Sequence, residues 1–356
     1  MTLKSLLVAI IVCTTVFNAS ADVNVTTHNL ENAKAKAYLH EVSYNTGDKS
    51  RVKEYNVSPP ERRDQPAPVT IKWTAPAGAA NQLLYVATSK KFKNVKPITL
   101  AANTTSNDIY NLIPGQTYYY KVVALNDKGK KKATNIGTAI TTGQLRMIKV
   151  ESGYNFRDIG GWNTASGKHI RYGMIYRSAE LNGKYELTSK DSAIVRNIGI
   201  LAELDLRSDG EAHNITVSRL GADVTYNRLS TGTYYLEGIK NNTTRFKEQM
   251  QFVFDMVKQN RPVVFHCHIG ADRTGCLGLL LEGLLGVSES DIYKDYELTT
   301  FSALGTPRYK GQIEDIIAYI KTFDGVTLEE QFYSYCTQAL GLSPQDIADF
   351  RNTMLQ

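Results

Sequence analysis

The stretch from Val263 to Leu285 constrains this chain more than any other part of it. Val263 to Phe265 is an apolar run of strand length, and Leu277 to Leu285 is one that reads as a buried helix. Between them lie Cys267 and, six residues later, Arg273, with Gly270 and Gly275 where a Cβ would obstruct the turns. Strand, tight loop and helix in this order predict an α/β unit whose loop folds over a helix N-terminus. Backbone N–H groups in such a loop bind anions, and the helix dipole adds positive charge there. Both stabilise negative charge, on the Cys267 sulfur and on a bound oxyanion alike. Arg273 offers a planar fork that matches two phosphate oxygens at once, and Thr274 can hydrogen-bond the sulfur or cap the helix. The chemistry this predicts is attack of Cys267 on a phosphomonoester, followed by hydrolysis of a phosphocysteine. A buried cysteine is more often an inert small hydrophobe. The flanking strand, apolar helix and glycines favour the catalytic reading.

The loop, His266-Cys267-x-x-Gly270-x-Asp272-Arg273-Thr274-Gly275, resembles the signature of the cysteine-dependent protein tyrosine phosphatases. It is most similar to a bacterial branch with tyrosine and lipid phosphatase members, whose loop reads HCxxGKDRTG. Asn155 to Gly161, Ile175 to Ala179 and Leu204 to Ser208 resemble upstream motifs of that branch, in the same order. The resemblance covers about 151–300. It implies an α/β phosphatase domain with a central, mostly parallel sheet flanked by helices, and a phosphorylated protein or small phosphoester as substrate. It implies no metal or cofactor. It also implies that His266 holds backbone carbonyls and tunes the thiol, and that the loop residues His268, Ile269, Gly270, Ala271 and Thr274 lie against the substrate. Ala271 stands where the family has Lys, which lowers the expectation of activity on highly charged lipid heads.

A leaving alkoxide or phenoxide needs a proton, and two carboxylates are candidates to give it. Asp272 sits inside the loop, where a phosphate dianion repels a carboxylate unless it is protonated; its other reading is a loop-stiffening ion pair. Asp205 follows the apolar run Ile198 to Leu204, which reads as a strand, and strand C-terminal ends face the ligand crevice of open α/β sheets. Its other reading is a salt bridge that orients Arg273 or Arg207. Arg157, Asp158, Arg177 and Ser178 either line the crevice or form strand-end ion pairs. His268 either contacts substrate or is solvated.

The chain opens with Lys4, an apolar run from Leu6 to Phe17 and Ala19-Ser20-Ala21, the pattern of a secretory signal peptide cleaved near Ala21. The run is short for a bilayer span, and no later stretch is long enough for one. An exported protein is therefore expected. The formal charge of +6 over 356 residues is spread along the chain, and Lys128, Lys130, Lys131 and Lys132 read as a solvated loop, so no nucleic-acid partner is expected. After cleavage Cys267, Cys276 and Cys336 remain. An odd count fits a free reactive thiol, with Cys276 and Cys336 able either to pack or to pair. No Cys/His spacing resembles a zinc site.

This length suits more than one domain. Residues 67–145 carry only strand signals: Val69 to Trp73, Gln82 to Ala87 and Thr117 to Leu125, with turns at Pro114-Gly115 and Asn126 to Gly129. They predict a small all-β sandwich, and Trp73, Leu112-x-Pro114-Gly115 and Tyr118-x-Tyr120-x-Val122 resemble a fibronectin type III module. Residues 22–66 read as an extension with a hairpin over Tyr38 to Tyr44 and Arg51 to Tyr55, then a proline-punctuated linker. Residues 146–356 form the catalytic domain. Within it Leu229 to Asn242 has no strong period and reads as a cover over the site or a plain surface loop. Near the end Ile313, Ile316, Ile317 and Ile320 mark a helix face, Thr327 and Glu330 a capping box, and Ser343-Pro344 a helix start. Two other functions compete with the phosphatase. One is a surface adhesion protein with a non-catalytic anion-binding loop, for which a thiol is superfluous. The other is sulfur transfer, which His266, Asp272 and the upstream motifs fit less well.

Overall fold

The computed structural model describes residues 25–40, 62–75, 78–129, 131–133, 136–212 and 214–356. The proposed signal peptide and most of the expected hairpin lie outside them.

The half that follows residue 146 is built on a five-stranded sheet in the order β12-β11-β13-β10-β9. Its strands are β9 (Arg157–Asp158), β10 (Ile175–Ser178), β11 (Ala202–Asp205), β12 (Thr225–Arg228) and β13 (Val263–His266). All neighbours are parallel except β9, which runs antiparallel to β10. The register aligns Ser178, His266, Asp205 and Arg228 in one row at the strand ends. Every loop leaving that row therefore emerges at one edge, where ligands of parallel sheets bind.

Period-two alternation divides each strand between two cores. Ile175, Ala202, Leu204, Val263 and Phe265 face the larger core, whereas Tyr176 and Val264 face a smaller one with Val195 and Ile200. On the larger side pack α3 (Tyr235–Asn241), α4 (Thr243–Lys258), α5 (Asp272–Leu284), α6 (Glu289–Glu297), α7 (Glu314–Ile320), α8 (Leu328–Ser334) and α9 (Pro344–Met354). On the smaller side lies α2 (Ser189–Asn197). Helix α5 is buried all round from Thr274 to Leu284, which is why its sequence shows no polar face. The expected terminal caps form: Thr327 and Glu330 make both bonds of a capping box, and Ser343 caps α9 with Pro344 at its first position.

The β-rich half has one sheet in the order β1-β8-β6-β3-β4, with β7 on β6, and a second of β2 and β5. Its strands are β1 (Val25–Asn29), β2 (Val69–Lys72), β3 (Asn81–Ala87), β4 (Ile98–Ala101), β5 (Ser106–Ile109), β6 (Thr117–Leu125), β7 (Lys131–Ala133) and β8 (Gly137–Thr142). Val69, Ile71 and Ile109 from one sheet share a core with Leu84, Tyr120, Val122 and Ala139 from the other. Tyr118 Oη accepts the backbone N–H of Ile113 at 3.0 Å, and Trp73 donates to Gln82 at 2.8 Å.

Two expectations are corrected here, and one open alternative is decided. Tyr38 lies in a helix, α1 (Ala33–Leu39), and not in a hairpin strand; the hairpin's remaining residues from 41 on fall outside the described ones. Asn32 caps this helix by accepting from the amides of Lys34 and Ala35, and Ala35, Tyr38 and Leu39 share its buried face. The run from Ile198 is not all strand, since Ile198 is the C-cap of α2 and β11 starts at Ala202. Cys276 and Cys336 are both buried and free, not paired.

Candidate active site

Cys267 follows β13 directly, is 2 % exposed and starts the loop that ends at the N-terminus of α5. Gly270 makes the turn. Its φ is +70°, and a Cβ there would lie 2.4 Å from the carbonyl oxygen of Ser178. The underside of the loop is held by its carbonyls. Asn155 Nδ2 donates to Ile269 O at 3.2 Å and to Gly270 O at 2.9 Å, and Arg177 donates to Gly270 O at 3.1 Å. Asp295, fully buried in α6, fixes Arg177 at 2.5 Å and grips Arg157 through its Nε and a second nitrogen. Burial pushes its carboxyl up, but the two guanidiniums outweigh that and hold it below the usual range. Arg157 in turn donates to Asn155 Oδ1. Arg157 and Arg177 are thus 2 % and 1 % exposed braces of the loop and do not line an open crevice.

Arg273 stands at the second position of α5. Its fork is clamped by Glu211 at 2.6 and 2.7 Å, and Nη1 also donates to Leu206 O at 3.3 Å. Its Nε is buried with no partner among the described residues. Burial alone would weaken its charge, but Glu211 and then the Cys267 sulfur reinforce it. Thiol and guanidinium therefore share one electrostatic environment. Glu211 is itself held down to about 2 by its bonds with Arg273, opposed by burial and helped by Ser208. Thr274 Oγ1 is buried without a partner among the described residues. Ala271 is wholly buried at the N-cap of α5.

The two candidate acids differ sharply. Asp205 is 0 % exposed; it receives Arg207 Nε at 2.9 Å, Arg207 Nη2 at 2.6 Å and Tyr226 Oη at 3.0 Å. Burial raises its carboxyl, but His266 and Arg207 bring it below its ordinary value. Asp272 is at the loop, partly exposed, and paired with Arg308 at 2.9 and 3.1 Å and with the Tyr235 hydroxyl. Arg207 is fully buried and also donates to Glu180 and Asn182, both at 2.8 Å through Nη1. Glu180 further meets His268 Nδ1 at 3.0 Å, and His268 is half-buried. His266 sits between Glu203, 3.0 Å from Nε2, and Asp205, 3.9 Å from Nδ1, with the Cys267 carbonyl 3.2 Å from Nδ1. Burial disfavours its proton, but the two carboxylates prevail and raise its pKa.

Asp158 and Ser178 are placed away from any crevice. Asp158 is fully buried and binds Arg146 at 2.9 Å and the amides of Gly160 and Gly173 at 2.9 and 2.7 Å; Ser178 is buried in β10 and donates to Ala179 O. The segment 229–242 is folded, with Tyr235 at φ +59° delivering its hydroxyl to Asp272 and, at 2.9 Å, to Tyr296. The residues that sequence reasoning missed are Glu180, Glu203, Glu211, Asp295 and Arg308. Glu180, Glu203 and Glu211 lay one residue after, one residue before and three residues after quoted motifs, and Asp295 and Arg308 carried no local signal.

The profile described as the tyrosine phosphatase family matches residues 148–356, more than half of the chain. The chain belongs to this family. A Cupriavidus necator protein named as a tyrosine-protein phosphatase is 30% identical over 164 residues, which is 40% of this chain and 59% of that protein. The triple specificity protein phosphatase PtpB of Mycobacterium tuberculosis is 26% identical over 217 residues, 49% of this chain and 75% of its own. Among solved structures, the catalytic core of the Saccharomyces cerevisiae PP-IP phosphatase SIW14, in complex with citrate, aligns at 16% identity. That alignment covers 58% of this chain and 99% of that one with a TM-score of 0.34.

Proposed function

We propose that this chain is an exported phosphatase that hydrolyses phosphomonoesters, phosphotyrosine foremost, through a phosphocysteine. The observation that carries the reading is that Cys267, directly after β13, and Arg273, at the second position of α5, stand at the two ends of one tight loop at a helix N-terminus. In this reading the Cys267 sulfur attacks phosphorus, the phosphorus–oxygen ester bond breaks, and Asp272 hands a proton to the leaving oxygen. Water then attacks the phosphocysteine, returns the proton to Asp272 and releases phosphate and the free sulfur. Arg273 binds the phosphoryl oxygens, with Glu211 fixing its orientation. Ile269, Gly270, Ala271 and Thr274 supply the backbone cradle, and His268 borders the entrance. His266, Asp205, Arg207 and Arg157 act as positioning residues.

Asp272 is favoured over Asp205 because its carboxylate is at the loop and partly exposed. Asp205 is enclosed by Arg207, Tyr226 and His266. The β-rich half is read as a fibronectin type III-like module, supported by its two sheets on one core and by the Tyr118 to Ile113 bond. Export is read from residues 1–21; N-terminal sequencing of the exported protein is expected to begin at Asp22, and an N-terminus retaining Met1 would refute it.

The test is release of p-nitrophenolate from p-nitrophenyl phosphate. Wild type should turn over, and Cys267→Ser should be slower by at least about 10³-fold, the scale of losing a nucleophile. Equal rates from both would end the enzymatic reading in favour of anion binding alone.

A further inference from the structure

The positive charge expected to be spread along the chain is concentrated in the β-rich half. Residues 67–145 hold ten lysines, two aspartates and no arginine or glutamate, a formal +8. The chain totals +6, so everything outside them carries −2. The ion pairs that lysines form among the described residues, those of Lys149, Lys258, Lys294, Lys310 and Lys321, all fall in the other half. Of the two aspartates, Asp108 lies on the second sheet, in β5, and Asp127 in the turn after β6.

Strand register gathers this charge on one face of the six-stranded sheet. Leu84, Tyr120 and Val122 point into the core between the two sheets. Their neighbours Tyr85, Tyr119 and Lys121 therefore point outward. Tyr85 pairs with Lys121, Ala87 with Tyr119, and Leu125 with the exposed Lys131. The connection from β3 to β4 is folded onto the same face. Phe92 in that connection is 8 % exposed and sets its ring edge-on to Tyr85, with centroids 6.5 Å apart. It does so at φ +47°, a left-handed backbone that a phenylalanine keeps only where its surroundings impose it. Lys121 Nζ lies 5.2 Å from the Tyr85 ring and 4.5 Å from the Phe92 ring, and Lys90 Nζ lies 5.1 Å from the Tyr119 ring. Lys90, Lys91 and Lys93 are exposed around this anchor. The charge thus runs from the connection to Lys131, along a strand stretch of about 20 Å. Apolar surface lies beside it: Val25 of β1, 55 % exposed, pairs with Thr138, which pairs with Tyr119.

The chemistry of this face selects among polyanions. Lysine is a compact, hydrated point charge that responds to a diffuse negative field, whereas nucleic-acid phosphates are gripped one by one by the arginine fork, which is missing from residues 67–145. A sheet face meets a planar anionic surface without a groove, and each lysine within a Debye length adds to the attraction. Val25 and the half-buried tyrosines give apolar contact at a headgroup boundary, which a soluble polyanion does not reward.

We propose that the outer face of the six-stranded sheet docks this protein on an anionic phospholipid bilayer. The proposal goes beyond the phosphatase reading and stands or falls separately from it.

The test is co-sedimentation of the full chain with vesicles of phosphatidylcholine alone, or with about one third phosphatidylglycerol, at low and high salt. Wild type should favour the anionic vesicles by at least about 10²-fold at low salt and lose that preference at high salt. The combined variant Lys90→Gln, Lys93→Gln and Lys121→Gln should bind anionic vesicles about 10²-fold more weakly, at about fivefold for each lysine. Glutamine keeps most of the stem that covers the rings, so the thermal midpoint should not move. A control variant, Lys168→Gln, Lys190→Gln and Lys258→Gln, removes the same charge from the other half and should bind within about threefold of wild type. Equal binding to both kinds of vesicle overturns the proposal, and so does an equal loss in both variants, which would make net charge and not this face responsible. Retention on alginate beads without any preference between the vesicles would assign the face to an acidic polysaccharide and overturn the bilayer as its partner.

Discussion

Asp272 and Asp205 carry the same functional group in opposite physical circumstances. Asp205 is sealed between Arg207 and His266, where protonation would remove one of the two carboxylates that hold the buried Arg207 guanidinium. Asp272 has water on one side and Arg308 on the other. Asp272→Asn is therefore expected to slow alkyl phosphate hydrolysis by roughly 10² to 10³ and p-nitrophenyl phosphate hydrolysis much less, because a good leaving group needs no proton. Asp205→Asn should slow both alike and lower the thermal midpoint. Rates on the two substrates, with a melting curve for each variant, check this. Identical substrate profiles for the two variants would remove Asp272 from the acid's role. The residues around the site were only partly legible. Cys267, Arg273 and Asp272 announce themselves by spacing within one loop. Glu211, Asp295 and Arg308 come from elsewhere in the sequence and act only through the fold. Arg308 is instructive: it brings a guanidinium to the loop Asp from 36 residues away, beside the position where Ala271 replaces the family's Lys.

At the scale of elements, β13, the loop and α5 form one unit whose signal is local, because an apolar strand and an apolar helix must flank the turn. The turn itself depends on Gly270, which combines a left-handed φ with close approach to β10. Gly270→Ala should cost about 1–3 kcal/mol in stability through backbone strain and contact with Ser178, and should lower kcat/KM more than it lowers the thermal midpoint. Turnover and calorimetry of this variant provide the check; wild-type behaviour in both would show that the loop tolerates another path. Elements without a local signature were harder to read. The segment 229–242 has little periodicity because α3 is only seven residues long and its place is set by Tyr235 bonds to Asp272 and Tyr296. In α1 the spacing of Ala35, Tyr38 and Leu39 is helical, but seven residues give it little weight against the stretch from Tyr38 to Tyr44, whose Tyr38, Val42 and Tyr44 also suit a strand.

For the whole molecule, the segment before residue 66 ties the two halves together. Strand β1 extends the β-rich sheet beside β8, while α1 packs Ala35, Tyr38 and Leu39 into the core that holds Leu145, Met147 and Ile159. Tyr38 donates to Glu297 at 2.5 Å, and Asp64 accepts the amide of Asn155 at 2.6 Å, at the turn that braces the loop. A chain starting at residue 146 should thus be less stable by on the order of 4 kcal/mol, from lost burial of Tyr38 and Leu39. Tyr38→Ala in the full chain should lose about 3 kcal/mol. Denaturant titrations of both proteins against wild type test this, and a truncated domain as stable as the full chain would refute it. By itself the sequence determined the α/β unit, the loop that joins Cys267 to Arg273, and the strand-rich character of residues 67–142, because each follows from periodicity or spacing within a few residues. Only the tertiary structure decided which carboxylate faces the loop, which arginines are braces, and how the N-terminal segment is shared. Those depend on strand register and on contacts between residues up to 259 positions apart, where chain geometry, and not local preference, selects the partner.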